Sequence, residues 1–196
     1  MIAKLEEYKD LRAAGKALAE VLEELAAMVA PGVKTSELDV AAERAVKERG
    51  GIPVFLGYKP DGATSPYPAV SCISINDEVV HGIPHEGKIV REGDIVTVDL
   101  GLSLKGYFVD AARTVVAGKG DKAAYALIAA TDEALEGAID AARVGGHIGD
   151  IGVPIVVVAK KYNLTIVHDL GGHAVGRAVH EKPFIANDGE AGEGPE

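Results

Sequence analysis

Two aspartates, Asp99 and Asp110, close the stretch DLGLSLKGYFVD, which is otherwise rich in residues that favour β-strands. A hairpin symmetric about residues 104 and 105, with its turn at Lys105-Gly106, places the two carboxylates opposite each other, with Cβ atoms about 5 Å apart. Two such charges repel unless a shared proton, a nearby cation or a metal ion relieves them. The hairpin therefore predicts a divalent-metal site, whereas another register would leave both acids at a solvent-exposed strand end.

Three of the six histidines lie in settings that suit metal-dependent hydrolysis. His81 ends a β-like run directly before a Gly-Ile-Pro turn. His173 and His180 lie in GGHAVGRAVH, whose glycines argue against a helix and let the backbone pass close to a ligand. Together with the aspartate pair they fit a metal-dependent hydrolase. The remaining histidines suit surface or strand positions without a chemical role: His85, His147 and His168.

Hydrophobic periodicity and Gly/Pro boundaries predict the elements that position these groups. Helices are predicted over 4–29, from Thr35/Ser36 (whose hydroxyls can cap it) to just before Gly50, and from Asp121 to about Ala142. Strands are predicted over 52–56, 69–75, 94–102 and 107–116, with a Gly/Pro-rich loop at 57–68. The run 149–161 is compatible with a strand, because of its valines and isoleucines, or with a helix, because of its length and early proline.

A weak internal repeat bears on that choice. An offset of 113 residues pairs Gly32 with Gly145 and Glu37 with Asp150. Unless this is a chance alignment, the chain contains two related α/β halves, and 149–161 is a helix like its counterpart in the first half.

The composition fits one soluble domain spanning residues 1–196. Apolar residues make up 47% of the 196, and the net charge of −10 disfavours nucleic-acid and anionic-membrane partners. The single cysteine, Cys72, excludes an intrachain disulfide and indicates a reducing compartment. Because the sequence shows neither a signal peptide nor an apolar run long enough to span a bilayer, we expect a cytoplasmic protein.

Three segments, in this order and spacing, closely resemble type I methionine aminopeptidases: SINDEVVHGIP, DIVTVDLGLSLKGYFVDAARTVV and GGHAVGRAVHEKP. The resemblance covers essentially the whole chain and implies the pita-bread fold, an α/β (α+β) architecture of two halves related by a pseudo-twofold repeat. It implies that Asp99, Asp110 and His173 are metal ligands, with Asp110 bridging two ions.

The same resemblance implies the substrate contacts and the reaction. His81 and His180 would contact the scissile peptide and steady the tetrahedral intermediate, and the methionine pocket would be shaped by Tyr58, Tyr67 and Cys72. Two divalent ions of manganese, iron, cobalt or zinc would activate a shared water for attack on the carbonyl of the N-terminal methionine. The expected activity is removal of the initiator methionine from nascent proteins and peptides, by a monomer with the ribosome as a further partner.

The chain departs from the family pattern in two places. The family completes its metal site with two glutamates on later strands, whereas this sequence ends in NDGEAGEGPE, whose glutamates match neither position. We therefore expect a C-terminally truncated domain that lacks strands and binds metal more weakly. Ala174 stands where a glycine usually follows the first histidine of GGHAVGR, which disfavours a positive φ at that residue.

Two other functions compete with this interpretation. A non-catalytic pita-bread module that binds peptides or proteins is favoured by the missing glutamates and disfavoured by the retained aspartates and histidines. A proline-directed aminopeptidase on the same fold is disfavoured because such enzymes usually carry a large extra N-terminal domain, for which this chain has no room.

Overall fold

The computed structural model describes residues 5–60 and 62–196, so Lys4 of the predicted first helix and Asp61 of the predicted loop lie outside the described residues. Two compact units divide the chain. The first unit comprises the described residues up to Asp121 together with Val175–Val179, and the second comprises Lys122–Ala174 and His180–Glu196. Each unit combines helices with an antiparallel sheet.

The first unit begins with the two predicted helices, α1 (Leu5–Met28) and α2 (Thr35–Glu48). The predicted capping of α2 by Thr35 or Ser36 is wrong, because Lys34 occupies the N-cap and its N–H donates to the Glu37 carboxylate at 2.9 Å. The hydroxyl of Thr35 donates instead to the His85 carbonyl at 3.2 Å, and the hydroxyl of Ser36 donates to the Glu86 carboxylate at 2.8 Å. Both hydroxyls are therefore used in tertiary contacts rather than in the cap.

Four strands form the sheet of the first unit: β1 (Ile52–Pro53), β2 (Cys72–Ile75), β3 (Ile95–Leu104) and β4 (Tyr107–Val116). All pairs are antiparallel; β4 pairs with one edge of β3, and β1 and β2 pair with the other. The predicted strands 52–56 and 69–75 are too long. After Pro53 the chain turns, with the Tyr58 N–H donating to the Phe55 carbonyl, and the N–H groups of Val70 and Ser71 donate to Asp39 instead of a strand.

The core of the first unit lies on one face of this sheet. Even-numbered β3 side chains, from Val96 to Leu102, are fully buried in the cluster that includes Leu25 of α1 and Leu38 of α2. Because side chains alternate along a strand, the odd-numbered residues of β3 line the opposite face. Asp99 is one of these residues and is only partly buried. The sheet thus separates an apolar face from a face that can carry polar chemistry.

The second unit contains two helices and a two-stranded sheet: α3 (Lys122–Ala141), α4 (Ile148–Tyr162), β5 (Gly171–Ala174) and β6 (Glu181–Ala186). The ambiguous run 149–161 is helical. Pro154 lies inside α4 and faces α3 at Gly137, where a Cβ atom would come within 2.8 Å of the Pro154 Cβ. The predicted third helix is confirmed to within one residue at each end.

The internal repeat is matched by local geometry in the two units. His147 occupies the N-cap of α4, 113 residues after Lys34, and its N–H donates to the Asp150 carboxylate at 2.7 Å, as Lys34 does to Glu37. The helices that follow have 14 and 15 residues. The two segments therefore fold alike.

Among the described residues, no helix combines the length and the apolar character that crossing a bilayer requires.

Candidate functional site

The β3–β4 hairpin brings Asp99 and Asp110 onto one face, but not directly opposite each other. Asp99 pairs with Ala112, and Asp110 pairs with Gly101, so the predicted register is wrong by two residues. Lys105 and Gly106 both have positive φ (54° and 78°) and form a two-residue turn that shifts the axis of the hairpin. A shift of two preserves the face, and the carboxylates become diagonal neighbours.

The two carboxyl groups are close enough to hydrogen-bond each other. Burial raises the pKa of Asp99 to about 7, and the charge of Asp110 and the hydrogen bond that protonated Asp99 donates to it act in the same direction. A carboxylate pair of this kind holds a proton near neutral pH unless a cation replaces it. This is the electrostatic arrangement that the sequence predicted from two acids in apolar surroundings.

Cys72 lies directly opposite Asp99 on β2 and is 3% exposed. Burial raises the pKa of the Cys72 thiol to about 12, and the charges of Asp99 and Asp110 also raise it, while a hydrogen bond with Tyr67 opposes them. Burial likewise raises the pKa of the Tyr67 phenol. The thiol and the phenol are therefore both neutral at physiological pH, and the thiol behaves as a small apolar group rather than as a nucleophile.

Aromatic side chains continue the surface next to Cys72. The rings of Phe55 and Tyr67 meet edge to face with centroids 6.4 Å apart. Tyr58 joins them through its carbonyl, which accepts the N–H of Tyr67 at 2.8 Å. At Gly101, a Cβ atom would come within 3.0 Å of the Phe55 ring, so glycine leaves room for Phe55 on the face that carries the aspartates.

Two residues of this region escaped sequence reasoning. Phe55 falls within the predicted strand 52–56. The chain instead turns after Pro53, and this turn places the Phe55 ring next to Gly101. One carboxylate oxygen of Asp39 accepts the Ser71 hydroxyl, the Ser71 N–H and the Val70 N–H at 2.7, 2.8 and 3.1 Å. Asp39 thereby anchors the chain that leads into Cys72, and nothing in the local pattern of α2 indicates so distant a partner.

His81 lies in a loop of the first unit, exposed and in the left-handed backbone region (φ 58°). The predicted β-like run before it is not a strand. Gly82 docks the loop on β2: its N–H donates to the Ser74 hydroxyl at 3.1 Å, and its carbonyl accepts the Ile73 N–H at 2.8 Å. A non-glycine residue held in this conformation next to a docked glycine is typical of a functional constraint.

His173 and His180 meet in the second unit, at the end of β5 and just before β6. Their ring centroids are 4.3 Å apart. His173 Nδ1 lies 3.2 Å from the Ala174 carbonyl oxygen, so the tautomer that donates from Nδ1 leaves the Nε2 lone pair for a ligand. The β5–β6 register shifts between His173 and Ala174, and Ala174 does not have a positive φ, as expected.

The donor groups within each unit suit a divalent transition-metal ion. The first unit carries two carboxylates that share a face, and the second carries two adjacent imidazoles. Carboxylate and imidazole ligands both suit Mn²⁺, Fe²⁺, Co²⁺ or Zn²⁺ and do not select among them. The raised pKa of Asp99 supports this fit, because a cation removes the repulsion that a bare carboxylate pair carries.

Known proteins resemble this chain along nearly its whole length. The family model "Metallopeptidase family M24" matches residues 9–195. The methionine aminopeptidase of Aquifex aeolicus is 47% identical over 182 residues, which are 93% of this chain and 70% of that protein. The solved structure of a methionine aminopeptidase from Thermotoga maritima superposes with a TM-score of 0.93 at 34% identity, covering all of this chain and 76% of that one. A second, from Rickettsia prowazekii, has the same TM-score and coverage at 35% identity.

Proposed function

The chain belongs to metallopeptidase family M24, among its methionine aminopeptidases, and on that premise we propose that it removes the N-terminal methionine from nascent proteins and peptides by metal-dependent hydrolysis. The fold is the pita-bread fold that the sequence predicted. The observation that carries the proposal is the carboxylate pair on one face of the β3–β4 hairpin, with the Asp99 pKa raised to about 7. Such a pair is built to receive positive charge.

Asp99, Asp110 and His173 would hold the metal. A rigid hairpin keeps the two carboxylates in place, which favours ligation over a purely electrostatic role. When bound, a pair of divalent ions supplies an activated water and polarises the scissile carbonyl. The His173 tautomer that donates from Nδ1 to the Ala174 carbonyl supports ligation through Nε2.

His81 and His180 would contact the scissile peptide. The left-handed backbone of His81 and the docking of Gly82 on β2 support a fixed position for its imidazole. An imidazole can donate a hydrogen bond to the oxygen on which charge develops, and it can return a proton to the leaving amine. These two roles suit a pair of histidines on different segments of the chain.

The methionine side chain would lie against Cys72, Tyr67 and Phe55, with Tyr58 supporting Tyr67. A neutral thiol and two aromatic rings form an apolar, polarisable surface, which suits a thioether. The proximity of Cys72 to Asp99 supports a pocket next to the carboxylate pair. Cleavage would then be restricted to methionine at the first position.

We further propose that residues 1–196 act as one metallopeptidase domain in the cytoplasm, as a monomer that meets nascent chains at the ribosome. The span of the family match, residues 9–195, supports a single domain. The buried, unpaired Cys72 supports a reducing compartment. The net charge of −10 argues against direct binding to nucleic acid or to anionic membranes.

Release of free methionine from a Met-Ala-Ser peptide, with Mn²⁺ or Co²⁺ added, tests the proposed function. Asp110→Asn removes one proposed ligand, and Asp132→Asn, an exposed carboxylate on α3, is the matched control. We expect release by the wild type and by Asp132→Asn, and a loss of at least about a hundredfold in Asp110→Asn. No release by the metal-supplemented wild type, or equal release by Asp110→Asn, would overturn the proposal.

A further inference from the structure

The segment that joins His173 to His180 is a loop whose tip is fastened to the first unit. The two imidazoles at its ends meet with ring centroids 4.3 Å apart, so the loop closes at its base. Its middle, Val175–Val179, belongs by its contacts to the first unit, although the residues on either side belong to the second. The position of both histidines therefore depends on where this tip is held.

Arg177 makes polar and stacking contacts from the tip to β4 and α1. Its guanidinium lies over the Tyr107 ring, 4.2 Å from the centroid, and donates to the Tyr107 hydroxyl at 3.0 Å. The same guanidinium is paired with Glu7 of α1. Tyr107 is 6% exposed, so this ring is a fixed platform rather than a mobile surface side chain. Stacking, a hydrogen bond and an ion pair on one planar group fix its orientation as well as its distance.

The backbone of the tip is held at the same place. The Phe108 N–H donates to the Gly176 carbonyl at 2.9 Å, and Val179 is 6% exposed within the core cluster of the first unit. Tyr107 and Phe108 begin β4, the strand that carries Asp110. His180 follows Val179 by one peptide bond. These contacts thus hold Val175–Val179 at the start of β4.

We propose that Arg177 is a positioning residue, which sets the placement of His173 and His180 by clamping the loop between them onto Tyr107 and Glu7. The role of these histidines in methionine removal rests on the proposed function. The clamp itself rests only on the contacts of Arg177, and it does not bring Arg177 to the substrate. Its loss displaces the imidazoles, and a displacement of about 1 Å at a reacting group is enough for a large loss of rate.

Arg177→Gln removes the charge and the stacking, and Lys105→Gln is the matched control. Lys105 lies in the neighbouring turn and pairs with Asp10 of the same helix at 2.7 Å, so it contributes an ion pair to α1 without being part of the stacked Arg177–Tyr107 pair. Both substitutions therefore remove one ion pair between this region and α1. Glu7→Gln is a second variant, which weakens the clamp while keeping Arg177 over Tyr107, in case Arg177→Gln does not fold.

Two measurements decide the outcome. In the metal-free protein, imidazole NMR signals of His173 and His180 should shift in Arg177→Gln, or in Glu7→Gln if it must be used, and stay unchanged in Lys105→Gln. In the metal-loaded protein, kcat for Met-Ala-Ser should fall about tenfold in the clamp variant, with KM within twofold of wild type.

Unchanged imidazole signals in the clamp variant, or equal changes in Lys105→Gln, would overturn the clamp. Absence of methionine release in wild type would instead overturn the proposed function, since the imidazole signals need no turnover.

Discussion

Asp99 shows how one residue can combine a cost to folding with a proposed use in catalysis. Its carboxyl group is partly buried, lies beside Asp110 and faces the neutral thiol of Cys72. Without a metal, these surroundings disfavour the charged form and raise its pKa to about 7. A bound cation reverses the preference, since it stabilises the same charge that burial opposes.

The metal-free protein should therefore lose stability as the pH rises from about 4 to about 7. In that window the folded state keeps a proton on Asp99 that the unfolded chain, with a pKa near 3.9, has released, so the free energy of unfolding falls with pH. Asp99→Asn cannot lose this proton, and it should be more favourable relative to wild type at pH 8 than at pH 5. Thermal midpoints in EDTA at both values test this, with Asp132→Asn as control. A difference between variant and wild type that is equal at pH 5 and pH 8 would contradict it.

Gly82 is a second single residue with a specific role, because the site leaves no room for a side chain at this position. A Cβ atom at this position would collide with the Ile73 carbonyl, which belongs to the backbone of β2 and cannot move aside. Gly82→Ala should push the loop off β2, displace His81 and lower kcat/KM for Met-Ala-Ser by roughly ten- to a hundredfold. Metal affinity should change by less than threefold. Gly87→Ala, in the same loop but with only ordinary contacts around its Cβ, should behave like wild type. Equal losses in both variants would indicate general loop damage.

For helices and strands, prediction from the sequence succeeded where a single hydrophobic period runs through the whole segment. Apolar periodicity set the end of α1 and both ends of α2 within about one residue, because each helix buries one continuous face, and a run of β-forming residues set the bounds of β4. The prediction failed where a side chain distant in sequence forms hydrogen bonds with the backbone. The N–H groups of Val70 and Ser71 donate to Asp39, so β2 is shorter than predicted. The hairpin turn lies at Lys105-Gly106 as predicted, but the strand register was wrong, since the positive φ of Lys105 that makes this a two-residue turn is not visible in a pattern of hydrophobicity.

The candidate site, too, could be predicted from the sequence only in part. The face shared by Asp99 and Asp110 could be predicted, because alternation survives a register error of two residues. The meeting of His173 and His180 could not be deduced from their spacing, because a loop rather than a helix joins them. Phe55 was missed for the same reason as the end of β1: a turn that begins after Pro53 decides both.

The N-cap interactions of α2 and α4 differ in one hydrogen bond, and this difference is testable. Glu37 accepts the N–H of Lys34, whereas Asp150 accepts the N–H of His147 through one oxygen and that of Gly192 through the other, at 2.7 and 2.8 Å. Asp150→Ala should therefore speed amide hydrogen exchange at His147 and also at Gly192, on the order of fivefold. Glu37→Ala should affect only the start of α2. If Asp150→Ala leaves Gly192 unchanged, the second hydrogen bond is not formed in solution.

The whole molecule distributes its buried apolar surface unevenly. Every residue of the hydrophobic core cluster belongs to the first unit. In the second unit the buried apolar side chains among the described residues are Ala124, Ala130, Ala138 and Val158. Large apolar side chains stay exposed there, including Leu135, Ile139, Val157 and Phe184 at 54–59%. Since hydrophobic burial is the dominant favourable contribution to folding, the second unit should be the less stable of the two.

Helices α2 and α4 allow this difference to be measured on a matched pair, because they are repeat counterparts with the same cap geometry. α2 buries six of its 14 residues, and α4 buries two of its 15. Native-state hydrogen exchange should therefore show α4 amides exchanging at least tenfold faster than α2 amides, through an opening that leaves β3 and β4 protected. Rising urea should merge the two rates only near global unfolding. Equal protection in α2 and α4 at low urea would mean that the chain unfolds as one cooperative unit, and that uneven burial does not set its local stability.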